Sequence, residues 1–218
     1  MKSDTDLAAD VTGELLFDPR IENVDAVAVG AEDGTVTLRG TVGSFHEKRA
    51  AAKAAKRVLG VKAVENELQV RLMTDARRSD SDIRAAALQA LMLDGLVPSD
   101  SIDVKVKDGV LALTGLVAWE FQRDAAEDDV LPLIGIVDID DRIAVVNETT
   151  AEDVSDRINA AFIRNAQLDD GDIEVSSTDG AVTLNGVVGN WAEHDEAVHA
   201  AWSAPGVTTV RDQLAVIY

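Results

Sequence analysis

The stretch DGTVTLRGTV at residues 33–42 decides the fold, because closely similar stretches follow at 108–117 (DGVLALTGLV) and 179–188 (DGAVTLNGVV). The glycines of the three Asp-Gly pairs are 75 and 71 residues apart. Two further sets of glycines keep these spacings, namely Gly40, Gly115 and Gly186, and then Gly60, Gly135 and Gly206. Three landmarks in constant register predict three homologous repeats in tandem. We place these repeats at residues 1–73, 79–147 and 150–218.

Each Asp-Gly pair joins two stretches in which apolar and polar residues alternate. In the first repeat, Val27 and Val29 precede the pair, and Val36 and Leu38 follow it. Such alternation is typical of strands with one buried face, and Asp-Gly favours a two-residue turn with positive φ at both residues. We therefore predict hairpin turns at Asp33-Gly34, Asp108-Gly109 and Asp179-Gly180.

Helical patterns flank the hairpin. Ser or Asp caps at Ser3–Asp6 and Ser79–Asp82, and a similar run at 149–153, predict a first helix in each repeat. After the hairpin, Ala51, Ala54 and Ala55 lie on one stripe of a second helix. A last apolar strand closes each repeat. The sequence thus predicts an α+β fold of three tandem αββαβ domains, each with a three-stranded mixed sheet, the last strand parallel to its neighbour, and two helices on one face.

The second helix of repeat two departs from this pattern. Asp129 falls on the apolar stripe and Pro132 follows it. Proline cannot continue a helix, and a carboxylate is costly to bury. We expect this helix to be shorter than its counterparts or distorted.

The pattern resembles the BON domain, named for bacterial OsmY and nodulation proteins. The resemblance rests on the capped first helix, the DG-x-V-x-L-x-G-x-V motif, the Ala-rich helix and the closing GVKAVENELQV, with Asn66 at the family's Asn position. Asp141 and Asp212 occupy that position in the other repeats, and AWEFQRDAAE of repeat two is similar to multi-BON stress proteins. The resemblance implies a non-catalytic envelope or stress-response module of OsmY-like type that contacts phospholipid surfaces or other macromolecules.

Composition excludes several classes of protein. The net charge is −20, divided as −2, −8 and −10 among residues 1–73, 74–147 and 148–218. Binding to nucleic acid requires a basic face, so we do not expect nucleic acid as a partner of so acidic a chain. The chain contains no cysteine, and no apolar run reaches the ~18 residues of a membrane span. The N-terminus has no apolar signal region, so we expect a cytoplasmic protein as given, or a periplasmic or envelope-associated one if the N-terminus was trimmed.

No residues form a recognisable catalytic or metal-binding set. His194 and His199 are five residues apart and do not share a helix face, so we interpret these and His46 as surface histidines. The acidic runs at 138–141 and 169–172 lack the calcium-loop pattern and are interpreted as solvated turns. We therefore expect no enzyme activity, no cofactor and no metal site.

One helix and one set of aromatic residues are candidate binding sites. The second helix of repeat one is the only basic helix, with Phe45 at its start as an apolar anchor for an anionic lipid surface. Its alternatives are an ordinary solvated face or docking onto the acidic repeats. The candidate contacts are Phe45, Lys48, Arg49, Lys53, Lys56 and Arg57.

The aromatic residues Trp119, Phe121 and Trp191 fall at strand-to-helix junctions, as Phe45 does, and Trp202 lies later in a helix. They cap the core or join repeats, or else they anchor the protein on a membrane or partner. The favoured hypothesis is a monomeric, non-catalytic scaffold that contacts anionic phospholipid or a protein partner. The alternative is a cation or small-ligand sensor that binds between acidic domain faces.

Overall fold

The computed structural model describes residues 2–146, 154–165, 168 and 173–217. In these ranges it contains six α-helices and nine strands, arranged as three three-stranded sheets. Repeat one comprises α1 (Asp4–Phe17), β1 (Val27–Glu32), β2 (Thr35–Val42), α2 (Phe45–Lys56) and β3 (Ala63–Val70). Repeat two comprises α3 (Asp80–Leu93), β4 (Ile102–Lys107), β5 (Val110–Val117), α4 (Glu120–Val130) and β6 (Asp138–Val145). Repeat three comprises α5 (Val154–Arg164), β7 (Ile173–Thr178), β8 (Ala181–Val188), α6 (Trp191–Trp202) and β9 (Thr209–Val216).

The predicted α+β order of helix, strand, strand, helix and strand is confirmed in all three repeats. Ser3 and Ser79 cap the first helices of repeats one and two, each accepting a hydrogen bond from the backbone N–H three residues later. The run at 149–153, predicted to cap the first helix of repeat three, lies outside the described residues.

The sheets are mixed, as predicted. β1 pairs antiparallel with β2, so that Val29 lies opposite Leu38, and β3 runs parallel to β2 with Asn66 opposite Leu38. Strands β7 to β9 repeat this register, and in repeat two the strands follow the order β4-β5-β6. The middle strand of each sheet is therefore the one that begins with the Asp-Gly turn.

Both helices of a repeat cover one face of its sheet. In repeat one, Val11 and Leu15 of α1 share one buried cluster with Ala54 of α2 and with Leu38 and Leu68 of the sheet. Each fully buried Leu contributes about 1.5–3 kcal/mol to folding. The alanines of α2 let that helix approach the sheet closely, and the same arrangement recurs around Phe162 and Leu184 in repeat three.

The Asp-Gly turns are confirmed and hold more of the repeat together than a simple hairpin would. All six turn residues have positive φ, from 50° at Asp33 to 89° at Gly34. In repeat two, the Asp80 carboxylate at the start of α3 accepts hydrogen bonds from Asp108 N and Gly109 N, both at 2.9 Å. The Gly109 carbonyl accepts from Val137 N at 3.0 Å. The turn thus joins the first helix to the segment that leads into the last strand.

The second glycine of the motif is required by a close backbone approach. Gly40 has a φ of +128°, and a Cβ atom at this residue would lie 2.0 Å from the carbonyl oxygen of Ala26. At the equivalent Gly115 a Cβ atom would lie 2.1 Å from the carbonyl oxygen of Ser101. No side chain fits at either position without moving the backbone.

Helix α4, predicted to be shorter than its counterparts or distorted, is slightly shorter. It has 11 residues, whereas α2 and α6 have 12 each. Pro132 follows two residues after its end and so only limits its length. Asp129 stays in the helix with its Oδ2 atom buried, and among the described residues that oxygen has no hydrogen-bond partner. The helix is thus one residue shorter than its counterparts, as the first of the two predicted alternatives has it, and it retains Asp129.

The chain divides into two compact units by its internal contacts. One comprises residues 1–115 and 124–143, and the other comprises residues 116–123 and 144–218. In the first unit, Arg49 of α2 forms an ion pair with Glu127 of α4. In the second, the Arg123 guanidinium lies over the Trp202 ring, 5.2 Å from its centroid, in a cation–π contact.

Candidate functional site

The basic helix α2 begins with a capping arrangement that fixes its first turn. The Ser44 hydroxyl accepts a hydrogen bond from Glu47 N at 3.1 Å, and Glu47 Oε2 accepts one from Gly43 N at 2.7 Å. The other carboxylate oxygen of Glu47 accepts from Glu22 N at 3.0 Å. This pairing is a variant of the capping box: Ser44 satisfies a donor that the helix leaves open, whereas Glu47 reaches the N–H of the residue before the cap and a second N–H outside the helix.

Phe45 does not form the expected anchor. Its side chain is only 6% exposed, so the first turn of α2 does not present this ring to solvent. A buried ring cannot insert into a lipid surface without unfolding part of the domain. The prediction that Phe45 anchors the basic helix was therefore wrong.

Arg49 in this helix and Arg57 just after its end already have acidic partners. Arg49 pairs with Glu127 of α4. Arg57 donates to Glu14 Oε1 at 2.8 Å and to Asp18 Oδ2 at 3.0 Å, which links the end of α2 to α1. The ion pair of Arg49 with Glu127 is a contact of the kind expected if this helix docks onto acidic residues of another repeat. Lys53 is exposed, Lys48 and Lys56 are half-buried, and none of the three was predicted to have a structural role.

Asp18 is the most strongly perturbed acid that the basic residues touch. It is buried at the end of α1, where Arg20 donates to both of its oxygens and Arg57 donates to one. The hydrogen bonds from Arg20, and secondly from Arg57, hold the pKa of Asp18 well below its usual range against the opposing effect of burial. Arg57 thus stabilises the repeat and is not a freely available lipid contact.

The aromatic residues divide into two groups. Trp191 and Trp202 are half-buried and pack against the core of repeat three. Trp119 is half-buried at the start of α4, whereas Phe121 is 49% exposed. The core-capping alternative therefore describes Trp191 and Trp202, and Phe121 is the most exposed member of the set.

His194 was wrongly predicted to lie on the surface. It is buried on the sheet-facing side of α6, where its ring lies 4.7 Å from that of Trp191 and its Nε2 lies 2.8 Å from Asp212 Oδ2 of β9. His199 is exposed, as expected. His46 is half-buried, and its Nδ1 atom is buried without a hydrogen-bond partner in the part of the chain that the structure describes.

The acidic runs do not form a metal site where the structure describes them. Asp140 pairs with Arg142, and Asp141 accepts a hydrogen bond from Ile143 N at 2.9 Å. The run at 169–172 lies outside the described residues. Among the described residues, no three His, Asp or Glu side chains converge in a way that could hold a metal ion.

A cleft of about 510 Å³ lies beside the start of α2 in the first compact unit. Its walls are the first turn of α2, the residues that follow β3, and the segment 131–136 of repeat two. Sequence reasoning missed this cleft, because its walls come from segments far apart in the chain.

Exposed apolar residues end the first helix of every repeat, and sequence reasoning missed them too. These residues, which we call the helix-end patches, are 67% to 82% exposed. The sequence does carry a signal for them. Two or three consecutive apolar residues end each helix, and consecutive helix residues cannot all face the core; the runs are LLF at 15–17, LML at 91–93 and FI at 162–163. Only the first residue of each run is buried. The helix-end patches are Leu16 and Phe17 in α1, Met92 and Leu93 in α3, and Ile163 in α5.

None of the helices in the described ranges combines the length and the apolar character that a membrane crossing requires. Comparison with known proteins gives a match to the BON domain at residues 3–71, 79–147 and 150–218. The osmotically-inducible protein Y of Escherichia coli (strain K12) is 33% identical over 131 residues, which cover 57% of this chain and 63% of that protein. The match thus spans less than two thirds of the relative's length.

Two solved structures of CdsD, described as a structural protein of the type III secretion system of Chlamydia trachomatis, are also similar. One is 15% identical with a TM-score of 0.27 and full coverage of both chains. The other is 16% identical with a TM-score of 0.25, covering 97% of this chain and 92% of that one. TM-scores this low support no argument about fold or function.

Proposed function

Because this chain belongs to the BON domain family, of which it carries three tandem copies, we propose that it is a non-catalytic protein of osmotic-stress physiology that attaches to phospholipid surfaces. The link to osmotic stress rests on its similarity to the osmotically-inducible protein Y. The attachment to lipid rests on the helix-end patches.

The repetition of the helix-end patches is the observation that carries the proposal. Phe17, Leu93 and Ile163 are large apolar side chains that remain 70% or more exposed at the same end of three homologous helices. Leaving one such side chain in water forgoes about 1.5–3 kcal/mol of burial energy. A single patch binds weakly, but three on one chain raise the effective concentration at an extended surface.

Charge determines which lipid surface suits these patches. The chain has a net charge of −20, and Arg49 of the basic helix α2 and Arg57 at its end are engaged in ion pairs. Repulsion disfavours an anionic bilayer, while apolar burial is insensitive to salt. We therefore expect attachment to zwitterionic bilayers that depends little on ionic strength, in contrast to attachment through the basic helix.

Flotation with phosphatidylcholine liposomes tests the proposal. The triple variant Phe17→Ser, Leu93→Ser, Ile163→Ser should float at least tenfold less than the wild type. A matched triple variant removes three equally apolar exposed residues outside the patches, Leu59→Ser, Leu116→Ser and Ile217→Ser, and should float as the wild type does. All six positions are exposed, so both variants should remain folded.

Three results would contradict this mechanism. Equal loss in the two triple variants would show that the helix-end patches are not special. Failure of the wild type to float with neutral liposomes, together with salt-sensitive flotation with phosphatidylglycerol that Lys53→Glu abolishes, would return the contact to the basic helix. No flotation with either lipid would leave another macromolecule as the partner.

A further inference from the structure

The cleft beside α2 combines an apolar wall with two nitrogen-bearing side chains. Leu131, Leu133 and Ile134 form much of the wall, and Ile134 is 57% exposed at its rim. His46 and Arg78 line the same cleft from the side of repeat one and the segment after β3. Its volume of about 510 Å³ is within the range of small-molecule sites.

The imidazole of His46 is an unusual feature of this cleft. Its Nδ1 atom is buried and, among the described residues, has no hydrogen-bond partner. Burying a polar atom without a partner is costly, so native proteins rarely retain one without compensation. The equivalent positions in the other repeats are Phe121 and Ala192, so the fold itself does not require a histidine here.

Two backbone N–H groups at the start of α2 already have acceptors and so do not offer a ligand in the cleft a hydrogen bond. Gly43 N already donates to Glu47, and Glu47 N to Ser44. The cationic residue that lines the cleft is Arg78, which already makes contacts of its own, among them a hydrogen bond from Nη1 to the carbonyl of Arg77 at 2.8 Å. The polar end of a ligand would therefore meet the arginine and histidine side chains and not a helix terminus.

From this arrangement we propose that the cleft binds a medium-chain monocarboxylate, with the carboxylate toward His46 and Arg78 and the alkyl chain along Leu131, Leu133 and Ile134. A guanidinium matches a carboxylate in geometry and charge. The apolar wall supplies the remaining affinity, and each methylene that it covers adds about fourfold. This site differs in place and chemistry from the helix-end patches, because it takes single molecules in solution.

Isothermal titration of the full chain with decanoate, below its micelle-forming concentration, tests the proposal. Decanoate should bind with one site per chain and more tightly than octanoate by roughly fifteenfold, for two methylenes. Decan-1-ol and decyltrimethylammonium, which have the same chain without an anionic head, should bind at least tenfold more weakly than decanoate. Equal affinity for decanoate and decan-1-ol would overturn the assignment of the head group.

Two pairs of variants separate the site from a general effect. Arg78→Gln should weaken decanoate binding about tenfold or more, whereas Arg77→Gln, at the neighbouring exposed residue outside the lining, should not. Ile134→Ser should weaken it several-fold, whereas Leu59→Ser, at the equivalent exposed position of repeat one, should not. No binding by the wild type, or equal losses within either pair, would refute the proposal. The serine triple at the helix-end patches should still bind decanoate, and Arg78→Gln should still float, so the two proposals can fail separately.

Discussion

Replacing Asp129 by alanine should stabilise the second repeat. The equivalent residues of α2 and α6 are Ala54 and Ala200, so alanine is the residue that this fold uses at the position. In α4 the carboxylate has one buried oxygen with no hydrogen-bond partner among the described residues. Burial, and then the nearby charges of Asp94 and Asp128, raise the pKa of Asp129. The native carboxylate is thus a local source of instability.

Two contributions determine the size of the effect at pH 7. Removing a buried polar atom that lacks a partner recovers about 1–3 kcal/mol. Replacing Asp by Ala inside a helix adds roughly 0.6 kcal/mol from helix propensity. The free energy of opening α4 should therefore rise by about 1.6–3.6 kcal/mol, which corresponds to exchange of its backbone amides roughly 15- to 450-fold slower.

Hydrogen exchange followed by mass spectrometry is the suitable assay, because a chain of three repeats does not unfold in a single two-state step. The difference between Asp129→Ala and the wild type should shrink as the pH falls. The raised pKa means that folding favours the protonated acid, so the wild type regains stability as the pH falls through the folded pKa. Below the ordinary aspartate value of 3.8 the charge-dependent part of the difference should be gone.

Matched variants decide whether this reasoning is right. Asp128→Ala changes the exposed neighbour in the same helix, so it should yield the propensity contribution of about 0.6 kcal/mol and a further small gain from removing one charge near Asp129, and less in total than Asp129→Ala. Asp129→Asn keeps the shape without the charge and should yield an intermediate gain. If Asp129→Ala leaves the exchange of α4 unchanged or accelerates it at pH 7, the carboxylate is stabilised in solution and the argument fails.

Two further pairs of substitutions test the contacts of repeat one. Gly40→Ala should cost about 3 kcal/mol or more in a denaturation assay, because the new Cβ would lie 2.0 Å from a backbone carbonyl and φ is +128°. Its control, Gly13→Ala, lies at an open helix position and should stabilise the protein by about 0.5–1 kcal/mol in the same assay. Arg57→Glu should destabilise by about 1–3 kcal/mol, because it places a negative charge beside the buried Asp18, whereas Lys53→Glu should change thermal stability by less than about 0.5 kcal/mol. Equal effects within either pair would contradict the assigned contacts.

Local patterns in the sequence predicted the fold of each repeat. The alternation around Asp33-Gly34 and the Ser3 and Ser79 caps depend on interactions within a few residues, which the chain records directly. The constant spacing of the glycines then showed that the same pattern occurs in three repeats. The capping box of Ser44 and Glu47 could have been found in the same way, from its S-x-x-E spacing.

Tertiary contacts account for most of the errors in the predicted sites. The partners of Arg57 are 43 and 39 residues away in the chain, and that of Arg49 is 78 residues away. The sequence therefore does not reveal that basic residues of this helix form ion pairs with acidic residues elsewhere in the fold. Phe45 was misjudged for a related reason, because its position at the start of a helix does not reveal that its side chain is buried.

One position shows how the repeats vary a shared structural link. Asn66, Asp141 and Asp212 each accept a hydrogen bond from the backbone N–H two residues later in the last strand. In repeat one, the Asn66 amide also donates to the Lys48 carbonyl of α2 at 2.9 Å.

In repeat three the acid at this position cannot donate such a bond, and the contact from strand to helix is made differently. His194, which is equivalent to Lys48, brings Nε2 within 2.8 Å of Asp212 Oδ2. An amide paired with a backbone carbonyl has thus been exchanged for an acid paired with an imidazole, and β9 stays tied to α6. His194 is buried because it makes this contact with β9. We therefore assign it a structural role, although a single histidine beside a carboxylate can also be part of a functional site.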